Sequence, residues 1–214
     1  MPPTVDFYYG LGSRYSYLAS TQLDRIAAET GCRFDWRPLK SGVLQELRGG
    51  SPFHGEPPSG QYEWPYRQHD AEAWAAYYGV PYREPVDFRV DPAYLALAAT
   101  AAKQLGAVEV YSRRLFEAIF VEGRALAESD LVDLAENAGL DAVAFRAQLD
   151  DPATAETHEA ALQAAHRRGA FGVPTFFLGE RMFWGNDRLV LLEHALRKAC
   201  RTHDTSLSFP APAG

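Results

Sequence analysis

Cysteine is almost missing from this chain: Cys32 and Cys200 are the only two among 214 residues, far apart and in no CxxC. That spacing excludes a disulfide scaffold, a paired-thiol redox centre and a cysteine-built metal site, and both residues read as small core or surface thiols. No run approaches the roughly 18 consecutive apolar residues of a membrane span. Positive charge is also scarce, with Lys plus Arg 21 against Asp plus Glu 28 and a formal net charge of −7. Such a field repels nucleic acid unless a basic patch overcomes it, and the sequence has no such patch. The opening residues, Met1-Pro2-Pro3-Thr4-Val5-Asp6, carry neither a basic stretch nor an apolar stretch of the kind that marks secretion, so a cytoplasmic location is the default expectation. Internal repeats and low-complexity tracts are absent too.

What is present suits one ordinary folded unit: 47% hydrophobic and 23% charged residues, in a chain long enough to bury a core without staples. Residues 5–11 form an aromatic and β-branched run closed by Gly10 and Gly12, which predicts a strand and a turn. From Ser13 the apolar residues Tyr15, Leu18, Ala19, Ile26 and Ala27 recur near helical spacing until Gly31, which predicts one helix, and residues 32–38 predict a second strand. Residues 41–65, dense in Gly, Pro and Ser, predict an irregular loop, and residues 66–168 a mostly helical stretch. Within it Asp91 and Asp151 are N-cap candidates, because each precedes a proline suited to the first helical position. Residues 172–184 predict a hairpin. Asn186 or Asp187 then caps a last helix that buries Leu189, Leu192, Leu196 and Ala199, and residues 203–214 predict a mobile tail. The order βαβ, helices, ββα is an α/β thioredoxin-like plan interrupted by an all-α insertion. Residues 1–40 and 169–202 make the thioredoxin-like part, and residues 41–168 the loop and helical insertion.

Three junctions hold the residues able to do chemistry. In Gly12-Ser13-Arg14-Tyr15-Ser16-Tyr17-Leu18-Ala19, Ser13 stands where a strand hands over to a helix. Unsatisfied amides there favour an anion, and a hydroxyl at that point can donate to a thiolate; equally, Ser13 can be a plain helix cap. In Phe171-Gly172-Val173-Pro174-Thr175, a cis bond before Pro174 would turn the Val173 peptide outward to pair with an extended ligand, although most such bonds are trans. In Trp184-Gly185-Asn186-Asp187-Arg188-Leu189, Asp187 can accept from an ammonium and Arg188 can pair a carboxylate, or the two can be a cap and a solvated charge.

Together these motifs resemble the 2-hydroxychromene-2-carboxylate isomerases and the related kappa-class glutathione transferases, in the DsbA-like group of thioredoxin folds. The resemblance runs from Val5 to about Leu196. It implies glutathione as cofactor and a small aromatic or α,β-unsaturated acid as substrate, with neither nucleic acid nor membrane as partner. It implies that Ser13 hydrogen-bonds the glutathione sulfur, that Val173, before Pro174, pairs with the cysteinyl part, and that Asn186 and Asp187 take the γ-glutamyl end with Arg188 beside them. The implied chemistry is reversible thiolate attack on a conjugated substrate, with bond rotation or ring opening in a transient adduct. A thiol of pKa near 8.5 is only a few per cent ionised at about pH 7. A hydroxyl donor plus a helix N-terminus, together on the order of 1.5 to 4 kcal/mol, lowers that value by roughly one to three units.

Three positions depart from the family pattern. Arg14 stands where a proline is usual, which predicts a looser and more basic helix start. Gly55 replaces a glutathione-contacting Asn before Pro57-Pro58, and Glu63 lies near the place of an expected Lys, which predicts two fewer polar contacts. A glutathione-dependent isomerase is therefore weighed against a kappa-like transferase and against a thioredoxin-fold binding protein without catalysis. A disulfide oxidoreductase lacks its nucleophile, since Ser13 and Ser16 occupy both cysteine positions. Tyr15, Trp64 and Tyr66, with Tyr62, are candidates to close over a substrate or to anchor the loop. The six histidines show no ligand spacing, so no metal is expected. Relatives of this kind are dimers, and a homodimer is expected on that ground.

Overall fold

The computed structural model describes residues 2–47, 64–87 and 89–205, with side chains for all of these except 41, 45, 64, 65 and 200–205. Strands β1 (Thr4–Tyr9), β2 (Arg33–Pro38), β3 (Thr175–Leu178) and β4 (Arg181–Trp184) form one sheet in the order β2-β1-β3-β4. β1 runs parallel to β2, with Tyr9 opposite Pro38, while β3 is antiparallel to both β1 and β4. This is the thioredoxin-like arrangement expected from the sequence. The helices are α1 (Arg14–Ser20), α2 (Leu23–Thr30), α3 (Ser41–Leu47), α4 (Trp64–Tyr78), α5 (Pro92–Gln104), α6 (Val108–Phe120), α7 (Glu128–Asn137), α8 (Ala142–Asp150), α9 (Pro152–Arg167) and α10 (Leu189–Thr205).

The period-two alternation of β1 sorts its side chains onto two covered faces. Val5, Phe7 and Tyr9 point into the larger core with Trp36 and Phe176, where the Phe7 ring lies 5.0 Å from each of the Tyr9, Trp36 and Phe176 rings. Tyr8 and Phe177 point the other way, onto Leu44 of α3 and Leu162 and Ala165 of α9. The larger core does not stop at the sheet. Tyr9 shares a 2.5 Å hydrogen bond with Ser112 of α6, and the Tyr17 ring packs against Phe116 and Phe120 of the same helix. The sheet and the intervening helices thus share one apolar interior.

Four details differ from the sequence expectation. The helix expected over residues 13–31 is two helices, because the Ser20 and Thr21 hydroxyls bond back to the Tyr17 and Leu18 carbonyls at 2.6 and 2.7 Å and break the ladder. The start of the expected loop is helix α3, held by the burial of Leu44. Neither Asn186 nor Asp187 caps α10: a short 3-10 turn, Asn186–Arg188, precedes it, with Gly185 ahead of that turn. α10 continues to Thr205, past the expected start of the tail, whose remaining residues lie outside those described. Asp91 and Asp151 do cap α5 and α9, accepting from the Ala93 and Ala153 amides at 2.8 and 2.9 Å. Among the described residues no helix is long and apolar enough to cross a membrane.

One buried polar pair links α5 to α9. His158 Nδ1 lies 3.0 Å from the Thr100 hydroxyl, which itself donates to the Ala96 carbonyl at 2.9 Å. Thr100 has one proton to give, so Nδ1–H is the tautomer that completes the chain. Burial pushes the His158 pKa down from its ordinary 6.5, partly opposed by Glu159. The unfolded chain therefore takes up a proton below about pH 6.5 that the native state refuses, and stability falls as pH drops through that point. Thermal melts from about pH 7.5 to about pH 5.5 should show a fall in midpoint that His158→Gln flattens; an unchanged slope in the variant would rule out this histidine as its source.

Candidate active site

The site begins where β1 ends. Gly10 follows Tyr9, and its carbonyl accepts from the Ser13 amide at 3.0 Å, closing the turn into α1. Space is tight here: a Cβ would lie 3.0 Å from Val173 Cγ2, 3.4 Å from the Leu39 carbonyl oxygen and 3.8 Å from Ser13 Cβ. The same crowding shows that Ser13 and Val173, distant in sequence, meet across Gly10.

Ser13 is the N-cap of α1, its Oγ accepting from the Ser16 amide at 3.2 Å. The capping reading is thus correct, and it does not exhaust the residue. A hydroxyl that accepts still holds a proton to donate, and among the described residues no acceptor meets that proton. α1 has only seven residues, so the positive potential beside Ser13 comes from its first-turn amides rather than from a long macrodipole.

The next three side chains are all tied down. Arg14, only 4% exposed, pairs through Nε with Glu84 at 2.8 Å. This corrects the expectation of a loose and basic helix start: the guanidinium is matched by a carboxylate and anchors the turn. Tyr15 donates from Oη to Asp70 of α4 at 2.8 Å, and burial together with that carboxylate pushes its pKa far above the ordinary phenol value. Ser16 is fully buried, and its Oγ accepts from the Gly10 amide at 3.2 Å.

The Val173–Pro174 peptide bond is cis. Val173 precedes β3, and among the described residues no hydrogen bond engages its backbone N–H or carbonyl. The Pro174 carbonyl accepts from the Gly185 amide at 2.9 Å, which fastens the third junction to the second. Gly185 has φ 107°, a conformation that only glycine adopts without strain, and a Cβ there would collide with Asp187 Oδ1. Asn186 is 4% exposed, and its Nδ2 is buried with no hydrogen-bond partner among the described residues. Native proteins rarely bury a polar group unsatisfied, so this donor is open to an acceptor from an ordered water or a ligand. The Asn186 carbonyl accepts from Tyr78 Oη at 3.3 Å, and Arg188 pairs with Asp187 at 2.5 Å on the surface.

Beside this constellation lies a cavity of about 910 Å³, whose lining includes Asp70, Trp74 and Tyr78 of α4, Arg25 of α2, Asp187 and Glu193. Asp187 belongs to both cavity and junction. The lining sets the carboxylates of Asp70, Asp187 and Glu193 against the guanidinium of Arg25, beside aromatic surface, with Arg188 pairing Asp187 and Arg25 and Arg197 pairing Glu193. Sequence reasoning missed the α4 contribution. Its signal was there as the i, i+4, i+8 series Asp70, Trp74, Tyr78, which shares one helix face. The structure therefore brings together Ser13, Val173, Pro174, Asn186 and Asp187, with Arg188 at the rim. Tyr15 is turned to Asp70, and Tyr66, half exposed on α4, is not part of the cavity wall. The Trp64 side chain, with Gly55, Tyr62 and Glu63, lies outside the described residues.

With this geometry in hand, comparison with known proteins is specific. The 2-hydroxychromene-2-carboxylate isomerase of Sphingobium xenophagum is 34% identical over 200 residues, covering 92% of this chain and 99% of that protein. The enzyme of the same name from Pseudomonas putida is 32% identical over 199 residues, covering 92% of this chain and 96% of that protein. A solved 2-hydroxychromene-2-carboxylate isomerase superposes with a TM-score of 0.82 at 30% identity, covering 96% of this chain and all of the other. The model of the DSBA-like thioredoxin domain matches residues 4–197. Sheet order, junctions and these matches agree: the chain belongs to the DSBA-like thioredoxin domain family, alongside its 2-hydroxychromene-2-carboxylate isomerases.

Proposed function

We propose that this protein is a glutathione-dependent isomerase of the 2-hydroxychromene-2-carboxylate type, acting on an aromatic or α,β-unsaturated acid. One observation carries the reading: three unused polar groups, the Ser13 hydroxyl proton, the Val173 backbone and Asn186 Nδ2, lie at the three junctions that Gly10 and the Gly185–Pro174 bond hold together. They suit a short peptide bearing a thiol, and the neighbouring Asp187, with the other carboxylates of the cavity wall, suits its ammonium end. Bound there, glutathione supplies a thiolate that adds reversibly to a conjugated acid and leaves after bond rotation or ring opening. Ser13 holds the negative sulfur by donating its proton while its oxygen stays on the Ser16 amide. Val173 offers a backbone donor and acceptor to an extended chain, and Asn186 Nδ2 meets a carboxylate or carbonyl oxygen. The same reading expects a cytoplasmic homodimer.

The test combines two measurements. Millimolar glutathione should raise the melting temperature by mass action, and the acid incubated with enzyme and glutathione should give a product of unchanged mass. A product carrying glutathione would make the protein a transferase. Absence of both thermal shift and turnover would leave the non-catalytic binding protein.

A further inference from the structure

We infer that helix α4 is a spacing rod for the candidate site, and that Asp70 is a positioning residue that holds Ser13 in place through Tyr15. The inference rests on the function proposed above and concerns a helix to which that reading gives no role at Ser13.

The bonds within the turn fix its own shape only. Ser13 amide to Gly10 carbonyl, Gly10 amide to Ser16 Oγ and Ser16 amide to Ser13 Oγ all join residues within six positions of one another. None of them says where the Ser13 hydroxyl lies relative to Asn186. That distance is set from outside the turn, by the Pro174–Gly185 bond behind Val173 on one side and by α4 on the other. Tyr15 reaches Asp70 at 2.8 Å, and Tyr78, on the same helix, reaches the Asn186 carbonyl at 3.3 Å. Asp70 and Tyr78 are eight positions apart, which in a helix is about 12 Å along the axis and about 80° around it, and both face the cavity. One rigid element therefore pins both ends of the site at a set separation. The Arg14–Glu84 pair, just beyond α4 in the chain, adds a second tie to the Ser13 turn.

The two pins are also the inner wall of the cavity, since Asp70 and Tyr78 both line it. The Tyr15–Asp70 bond is suited to this task because the phenol, whose pKa burial and the Asp70 carboxylate raise further, is a donor throughout the neutral range as any tyrosine is. A carboxylate acceptor makes the bond stronger than a neutral pair would be.

The experiment follows the ultraviolet thiolate signal of glutathione bound to the full-length protein as pH is varied, together with kcat and KM. The variants are Asp70→Ala, Asp70→Asn, Tyr15→Phe, Ser13→Ala and the double variant Ser13→Ala/Asp70→Ala. Asp70→Ala and Tyr15→Phe should each raise the apparent thiol pKa by about one unit and lower kcat about tenfold, with KM for the acid little changed. Asp70→Asn, which keeps an acceptor for the Tyr15 hydroxyl, should recover most of the loss. In the Ser13→Ala background Asp70→Ala should cost nothing further, because its effect passes through that hydroxyl. If the two losses multiply, or if Asp70→Ala lowers the melting point without moving the thiol pKa, Asp70 is merely structural and the inference falls. If the wild-type protein shows no bound thiolate at all, the glutathione reading falls first and takes the inference with it.

Discussion

Ser13→Ala should slow turnover by more than tenfold while leaving the protein folded. On the proposed function the hydroxyl has two employments that the substitution ends together, and their sizes separate them. Loss of the cap on the Ser16 amide costs about 1 kcal/mol of stability, within the usual 0.5–2 range for such changes. Loss of a hydrogen bond to a charged sulfur costs about 1.5–3 kcal/mol where that charge exists, roughly 10- to 100-fold in rate. Ser13→Gly separates the two further, since glycine caps a helix almost as well as serine but has no hydroxyl. Both variants should be equally slow, with the glycine variant the more stable of the two. A glycine variant that turns over normally would leave Ser13 as a cap alone, and saturating substrate concentrations ensure that the comparison is of kcat.

Gly185→Ala should be the second most damaging single change. At φ 107° and ψ 154° the backbone lies in territory nearly closed to residues with a Cβ, a penalty on the order of 1–3 kcal/mol. In a chain of this size that is a melting-point drop of roughly 2–12 °C. Strain is only part of it, because the added methyl also meets Asp187 Oδ1 and must displace that carboxylate from the cavity wall. The Gly185 amide bond to the Pro174 carbonyl is then misaligned, and the Val173 and Asn186 junctions lose their common reference. Glutathione affinity should fall at least tenfold. Gly179→Ala is the control: its φ of 59° is also positive, but nothing lies within 4 Å of the would-be Cβ. It should lose stability and keep affinity. Equal loss of affinity in both variants would show that general destabilisation, not the displaced Asp187, is responsible.

Much of this architecture was legible before the structure because the signals were local. β1 and the β3–β4 hairpin are short aromatic runs bounded by glycines, and Asp91 and Asp151 announce their helices by the proline that follows each. Ser13 and Val173 could be singled out because each sits at a junction between elements, where backbone groups go unpaired, whereas a site role for Asn186 came only from the family resemblance. What stayed hidden depended on tertiary partners. The break between α1 and α2 rests on hydroxyls of Ser20 and Thr21 that a helix tolerates equally well when they face water. α3 was obscured by the Gly- and Pro-rich residues after it, although Val43, Leu44 and Leu47 are spaced for a helix face. Asp70, Trp74 and Tyr78 look like any amphipathic stripe until the fold sets them opposite Tyr15 and Asn186. Arg14 gave the most misleading cue, since a lone cation in sequence says nothing of the half-buried Glu84 that answers it.

The shared interior described above bears on how such a protein can be re-engineered. Tyr9 ends the central strand and opens the active turn, yet its ring and hydroxyl are satisfied by Phe116 and Ser112 of α6. A minimal redox-type scaffold cannot be cut from this chain by excising the middle helices, because the aromatic column beneath the Gly10–Ser13 turn would be stripped to solvent. Grafts and chimeras should exchange α5 and α6 together with β1, treating them as a single inheritance.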